Sequence, residues 1–508
     1  MTSMDPERPA PRDAPPGGGH RWPRAATAVL CLGFFVLGMD VTVLNVAVPA
    51  LQRDLGADLA QIQWIVDGYA LTLGAAVLAA GGVTDRIGRR RSFVAGLAVC
   101  GAVSALGALA GSAGQLVAAR CGMGLGAALL MPATLSLISN LHPAAASRRR
   151  AIAAWAAAGA VGGLTGPVVG GFLVEEFSWR AGFWVNVPLT AVIIALAPVL
   201  VPESRTAPGA ARTDAAGLVL SAAGFLALIW SVIESPSRGW TDPVVLTGYG
   251  AAAVLLTCFV GWERRSRHPM LPLSLLRDAR VSTGAACLAL MSLALFGALF
   301  VLTLYLQGVQ GCSPWQAGVR VLPLPAALAV GAGAALPLLA RFGERLPVVL
   351  GLTLVTCAFA VQAGTRAGSG YGRVVVFEIV AGLGAGLVAC AATEAVMGAV
   401  PRERAGLGSA VNDATRQLGA ALGVAVQGSV LSTVYTSRLG EGAGGAVPLP
   451  VAAASARGGG GLPAVAREAF VAAVATTAVT AAVVTLVATT AAWYWLPAGA
   501  PAVADGAD

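Results

Sequence analysis

The sequence predicts an all-α integral membrane protein that crosses the bilayer fourteen times with both termini on the cytoplasmic side. Three observations carry that prediction. The 508 residues are 56% apolar and only 11% charged, against about 25% charged in a soluble domain, and the mean hydropathy is +0.76. The apolar residues are gathered into long runs, many near the roughly 20 residues that cross hydrocarbon. The cations stand mainly between the runs, and alternate connections, taken together, hold most of them.

Residues 1–24, rich in Pro, Gly and Arg, read as a disordered cytoplasmic tail. The runs 25–49, 63–83, 92–111, 115–140, 150–174 and 182–201 follow as a first six-helix half, 25–201. The first run is long enough to span and does not read as a cleaved signal peptide. Two further runs, 215–233 and 243–262, sit inside a linker region, 202–280. The second six-helix half, 281–496, holds the runs 281–308, 315–340, 346–364, 373–399, 406–435 and 468–496. A Gly- and Ala-rich outer loop at about 437–467 separates its last two runs, and 497–508 reads as a second cytoplasmic tail.

The chain contains no lysine, so all 33 of its Lys+Arg cations are arginines. With the N-terminus inside, 22 arginines fall on the cytoplasmic side, 8 outside, and Arg120, Arg320 and Arg416 inside spans. That ratio fixes the N-in, C-in expectation, because Lys and Arg are retained on the cytoplasmic side. The densest clusters, Arg86/Arg89/Arg90/Arg91, Arg148–Arg150 and Arg264/Arg265/Arg267, all fall inside. The same distribution argues against a nucleic-acid partner, despite a net charge of +8.

Enzymatic chemistry finds no footing. Cys31, Cys100, Cys121, Cys258, Cys287, Cys312, Cys357 and Cys390 are scattered without a CxxC, and seven of the eight lie in apolar runs, where Cys acts as a small hydrophobe. His20, His142 and His268 lie in the tail or in loops. No metal site or cofactor is expected, and a phosphate-binding GxxxxGK[ST] loop cannot occur without lysine. Direct drive by ATP is therefore not expected.

An internal repeat supports two halves. The fourth run reads Leu116-x3-Arg120-x3-Gly124-x-Gly126 and the twelfth Val374-x3-Glu378-x3-Gly382-x-Gly384. Arg86-Ile87-Gly88 follows the second run as Arg341-Phe342-Gly343 follows the tenth. Paired six-helix halves place substrate near the midplane, at their interface.

The connection after the second run reads Gly81-Gly82-Val83-Thr84-Asp85-Arg86-Ile87-Gly88-Arg89-Arg90-Arg91. Glycines permit a tight turn there, Asp85 can cap a helix N-terminus, and the arginines anchor the cytoplasmic face. This string resembles the GxLADRxGRR loop signature of the major facilitator superfamily. The fifth run holds Gly162-x3-Gly166-Pro167-x2-Gly170-Gly171, similar to the GxxxGPxxGG antiporter signature of that family's exporter branches. Physically, small residues on one face let helices approach, and the proline bends the span. Trp179-Arg180-Ala181-Gly182-Phe183-Trp184-Val185-Asn186-Val187-Pro188 and Met39-Asp40-Val41-Thr42-Val43-Leu44-Asn45-Val46-Ala47-Val48-Pro49 resemble strings of its fourteen-helix drug:proton antiporter branch. So do Asn412-Asp413-Ala414-Thr415-Arg416-Gln417-Leu418-Gly419 and Trp64-Ile65-Val66-Asp67-Gly68-Tyr69. The resemblance covers nearly the whole chain outside the tails and the outer loop. It implies the major facilitator fold and proton-coupled efflux of drugs or antibiotics by alternating access, from a multi-pass position in the cell membrane. Two departures stand out: Met123 replaces the usual Gln of the fourth span, and the tenth span has no acidic residue, which puts dicationic substrates in doubt.

Charges at membrane depth are costly and mark function by default. Asp40 and Arg120 share a depth in the outer halves of their spans, and the resemblance places those helices together, so Asp40 is assigned the proton with Arg120 as its partner; a static structural pair is the competing reading. Asp67 either attracts cationic substrates or meets headgroup water. Asp413 and Arg416, three apart on one helix, can pair, and serve either gating or mutual neutralisation. Glu378 matches Arg120 in the repeat and marks a second polar centre. Arg320 is expected to snorkel, Glu394 to be solvated, and Trp64, Trp179, Trp240, Trp315, Trp493 and Trp495 to mark the interfaces. The expected partners are the bilayer and a small hydrophobic or amphipathic molecule, cationic members included, handled by a monomer. The alternative is a same-fold exporter or importer of an endogenous metabolite.

Overall fold

The computed structural model describes residues 22–142, 144–204, 214–266, 269, 271, 273–366, 368–400, 405–439 and 464–497. Most of both tails and of the outer loop, with His20, His268 and Arg267, lies outside the described residues. Within them are sixteen α-helices and no strand. They are α1 Pro23–Leu55, α2 Leu59–Ile87, α3 Arg89–Ala108, α4 Ala113–Leu141, α5 Ala145–Glu176, α6 Ala181–Trp184, α7 Asn186–Leu200, α8 Ala215–Arg238, α9 Pro243–Arg265, α10 Ala279–Gly308, α11 Pro314–Arg320, α12 Pro323–Phe342, α13 Arg345–Ala363, α14 Tyr371–Gly398, α15 Ala405–Leu439 and α16 Ala464–Trp495. Helices α6 and α7 together make one crossing, and α11 with α12 another. Among the described residues, 13 helical segments are long and apolar enough to cross a membrane. The predicted span outside that count is α2, which at 29 residues is long enough to cross hydrocarbon.

The chain turns where its residues require it. Gly56, at φ 61°, ends α1 in the left-handed region, and Asp58 restarts the chain through a capping box. Its Oδ1 accepts from the Gln61 amide (2.7 Å), while Gln61 Oε1 accepts from the Asp58 amide (3.1 Å). Gly88, at φ 111°, separates α2 from α3. It is also the N-cap residue of α3. Asp85, expected as a helix N-cap, lies in the last turn of α2, and its side chain lies outside the described residues. The arginines beyond it clasp the end of α7. The Arg89 amide donates to Ser204 O (3.0 Å), and Arg90 Nη1 donates to Val201 O (3.2 Å) with its amide on Glu203 Oε1 (3.1 Å).

Packing follows the small residues. A side chain on Gly124 would meet the Tyr69 carbonyl oxygen of α2 at 2.6 Å, and one on Gly126 the Cys100 Sγ of α3 at 2.7 Å. The second half repeats this pattern: Gly382 presses on Leu324 and Ala327 of α12, and Gly384 on Gly351 and Val355 of α13. Between α1 and α5, Gly162 meets the Phe35 carbonyl, Gly166 the Met39 carbonyl and Gly170 the Val43 carbonyl. Between α10 and α15, Gly419 and Gly423 meet the carbonyls of Ala289 and Leu293. Helix α8 packs between α9, α15 and α2.

The two sets of helices touch chiefly at the end opposite the Gly88 turn. Gln63 Nε2 of α2 donates to Val424 O (3.1 Å) and Ala425 O (3.0 Å) of α15. Gln307 Nε2 of α10 donates to Val46 O of α1 (2.9 Å), and the Trp315 amide donates to Glu175 Oε2 (3.0 Å). Gly171 and Gly318 let α5 and α11 meet backbone to backbone.

Candidate functional site

The strongest polar constellation lies inside the first half. Asp40 of α1 and Arg120 of α4 form an ion pair, Nη1 to Oδ2 at 2.9 Å, with side chains 6% and 2% exposed. The second Asp40 oxygen, Oδ1, accepts from Asn186 Nδ2 of α7 (2.9 Å). The same amide also reaches Ser104 Oγ of α3 (3.2 Å), whose hydroxyl donates to Phe183 O (2.8 Å). Arg120 Nε donates to Ile65 O of α2 (3.1 Å), and its guanidinium lies 4.5 Å from the centre of the Tyr69 ring. Five helices are thus joined in one buried network around Asp40.

The Asp40 carboxyl, accepting on both oxygens, gives α1 a charge-assisted link to α4 and a second one to α7. Two voids of about 10 Å³ flank the pair, each with room for about one water. One is lined by Asp40, Tyr69, Cys100 and Met123, the other by Arg120, Val43, Trp179 and Phe183. The Met123 departure thus leaves an apolar wall beside Asp40. The Tyr69 hydroxyl and Asn186 Oδ1 are buried and have no hydrogen-bond partner among the described residues. The antiporter string shapes this site from behind, since Gly162, Gly166 and Gly170 bring α5 onto the α1 segment that carries Asp40.

The other expected charges lie apart. Asp67 meets neither headgroup water nor an open cavity: it is 1% exposed, with both oxygens unpartnered among the described residues. It shares the α2 face of Trp64 and Leu71, which packs on Ile229 of α8 and Ala421 of α15. No ion pair among the described residues joins Asp413 to Arg416; the first is half-buried and the second exposed. Glu378 is 0% exposed with both oxygens unpartnered, and Glu394 is exposed. Arg320 is half-buried and stacks 5.0 Å from the Tyr371 ring centre. Gly81 and Arg86 lie at the end of α2, and nothing crowds Gly81 within 4 Å. Two tryptophans depart from the interface expectation. Trp64 packs into the seam of α2, α8 and α15, and Trp179 is buried and donates to Asp54 Oδ2 (2.8 Å).

Sequence reading missed Tyr69, Ser104 and Asn186 as members of the site. Asn186 stood inside a quoted string, but nothing in its type or spacing marked it as the donor to Asp40.

The Major Facilitator Superfamily model matches residues 30–424. The chain belongs to that superfamily. It is accordingly a multi-pass membrane transporter of small molecules, not an enzyme. Curated relatives include the tetracenomycin C resistance and export protein of Streptomyces glaucescens, 34% identical over 83% of this chain and 77% of its own length. The multidrug efflux pump LfrA of Mycolicibacterium smegmatis is 35% identical over 85% of this chain and 86% of its own length. Among solved structures, a bacterial homologue of the human lysosomal transporter Spinster, inward-facing and unoccupied, aligns with a TM-score of 0.66. It is 18% identical over 94% of this chain and 97% of its own, so the likeness concerns the major facilitator fold.

Proposed function

We propose that this transporter is a proton-coupled exporter of hydrophobic or amphipathic small molecules, cationic ones included, of the fourteen-helix drug:proton antiporter type. The observation that carries the reading is the buried Asp40–Arg120 pair, whose second oxygen is held by Asn186. A carboxylate at membrane depth is retained at a cost of a few kcal/mol, and here it joins helices from α1 to α7. Proton arrival neutralises Asp40, releases Arg120 to Ile65 O and the Tyr69 face, and uncouples α1 from α4. Proton departure restores the pair. Export direction and substrate class are supported by the relatives, which are named for drug or antibiotic resistance and efflux. With N-in, C-in topology, the contacts between the halves lie on the outer side, so this conformation opens toward the cytoplasm of a cell whose plasma membrane holds the protein.

The test is proton movement in inverted membrane vesicles acidified inside, challenged with a panel of hydrophobic cations and antibiotics. Substrate-evoked proton release is expected from the wild type and not from Asp40→Asn. Transport without a proton signal overturns coupling, and proton exchange preserved in Asp40→Asn moves the proton to another acid. Export of a compound made by the host alone, with no response to the panel, favours the endogenous-metabolite reading.

A further inference from the structure

The second half carries an acid that the exchange described above does not use. Glu378 is fully buried on α14, and neither carboxylate oxygen has a hydrogen-bond partner among the described residues. Its place follows from packing: Gly382 and Gly384 press on α12 and α13 as Gly124 and Gly126 press on α2 and α3. Glu378 therefore stands where Arg120 stands. Gly38 and Gly297 likewise meet the carbonyls of Gly159 and Gly423. Between Val281 and Gln307, α10 carries no acidic or basic residue to stand where the first half has Asp40. The second half thus keeps one member of a buried pair, with its sign reversed and its partner removed.

An ionised carboxylate in such a place lacks the compensation that burial demands. The surrounding helices supply none at its level. The ionisable residues of α12 and α13 are Arg341, Arg345 and Cys357; those of α10 are Arg280, Cys287 and Tyr305. Arg341, Arg345 and Arg280 sit in the end turns away from Glu378. On α14 itself, Arg373 turns to Val361 O (3.3 Å) and Glu394 is exposed. Helix α15 contributes Asp413, Arg416, Tyr435 and Arg438 and touches α14 only lightly.

One cation stands at the mouth of the same stripe. Tyr371 lies two turns before Glu378 on one face of α14, and its hydroxyl donates to Arg320 O (2.7 Å). The Arg320 guanidinium covers the Tyr371 ring and donates to Cys312 Sγ (2.6 Å) and Gln310 Oε1 (3.4 Å), neither of them an anion. Helical side chains tilt toward the N-terminus, so the Glu378 carboxyl leans toward Tyr371.

We propose that Glu378 is a second proton-carrying acid, neutral in this conformation and ionised against Arg320 in the opposite one. This rests on the proton-exchange reading and extends it, since each turnover then returns two protons, one per half. The test reads Glu378 without any substrate, so its failure is separate from failure of vesicle exchange. Both Asp67 oxygens are likewise buried and unpartnered among the described residues, so Asp67→Asn is the wild-type background of every chain compared. Infrared spectra of the purified full chain in that background at neutral pH are expected to show a buried neutral carboxyl C=O band. The band should vanish in Glu378→Gln and persist in Asp40→Asn. It should be lost in Gly318→Trp, because a side chain there meets the Pro167 backbone of the other half and holds the seam apart. The pair Gln63→Ala/Gln307→Ala serves if Gly318→Trp does not fold. Adding Arg320→Gln to either should bring the band back. A wild type without the band, a band surviving in Glu378→Gln, or one undiminished when the seam is opened overturns the proposal.

Discussion

Thr42 Oγ1 donates to the carbonyl oxygen of Gly163 at 3.0 Å. That carbonyl is the one whose helical partner would be the amide of residue 167, and residue 167 is a proline. The antiporter string of α5 thus creates a vacancy in its own ladder, and α1 fills it from two residues beyond Asp40. The expected consequence concerns stability. Thr42→Val leaves a buried acceptor unpaired and should cost about 1–3 kcal/mol, whereas Thr42→Ser should lie near the wild type. Thermal unfolding of the two purified variants compares them directly.

The Asp40–Arg120 pair should behave as a unit. Arg120→Leu strands a buried carboxylate and should cost about 3–5 kcal/mol, the usual penalty for breaking a buried pair from one side. In Asp40→Asn/Arg120→Leu the charge is gone, and most of that loss should return. Proton exchange should not return with it. A double-mutant cycle on unfolding, run beside vesicle exchange, separates the two quantities.

Glycines of the two signatures should differ in tolerance. A side chain on Gly166 would meet Met39 O at 2.8 Å and the Thr42 hydroxyl, while one on Gly81 meets nothing within 4 Å. Gly166→Ala should therefore cost about 1–3 kcal/mol through overpacking and lower the amount of folded protein in the membrane. Gly81→Ala should fold at wild-type yield. Fluorescence-detected size exclusion of the two variants reports the contrast.

Much of this fold was legible because hydrocarbon imposes a plain requirement on length and polarity. The runs 182–201 and 281–308 are visible in composition alone, and the arginine strings mark their connections. The Asp40–Arg120 pair was legible because opposite charges stand at one depth and the family resemblance places their helices together. The rest depended on helix rotation and tilt, which periodicity in a chain rich in Ala and Gly does not encode. Asp67 illustrates the difficulty: its sequence depth pointed to the surface, and only the packing of α8 against α2 and α15 encloses it. Asp413 and Arg416 have helical spacing suited to a pair, yet α15 turns the arginine outward. Asn186 was hidden because its role depends on how α6 and α7 share one crossing.

Gln63 and Gln307 fasten one half to the other through carbonyl oxygens of Val424, Ala425 and Val46. A carbonyl is offered by every amino acid, so the receiving positions can drift among residues of similar bulk without loosening the clasp. Each half contributes one glutamine side chain to the lock, while the catch on the other half is backbone geometry. Lineages that diversify elsewhere can thus keep the same closure, and covariation between the halves should be weak where they hold together most firmly.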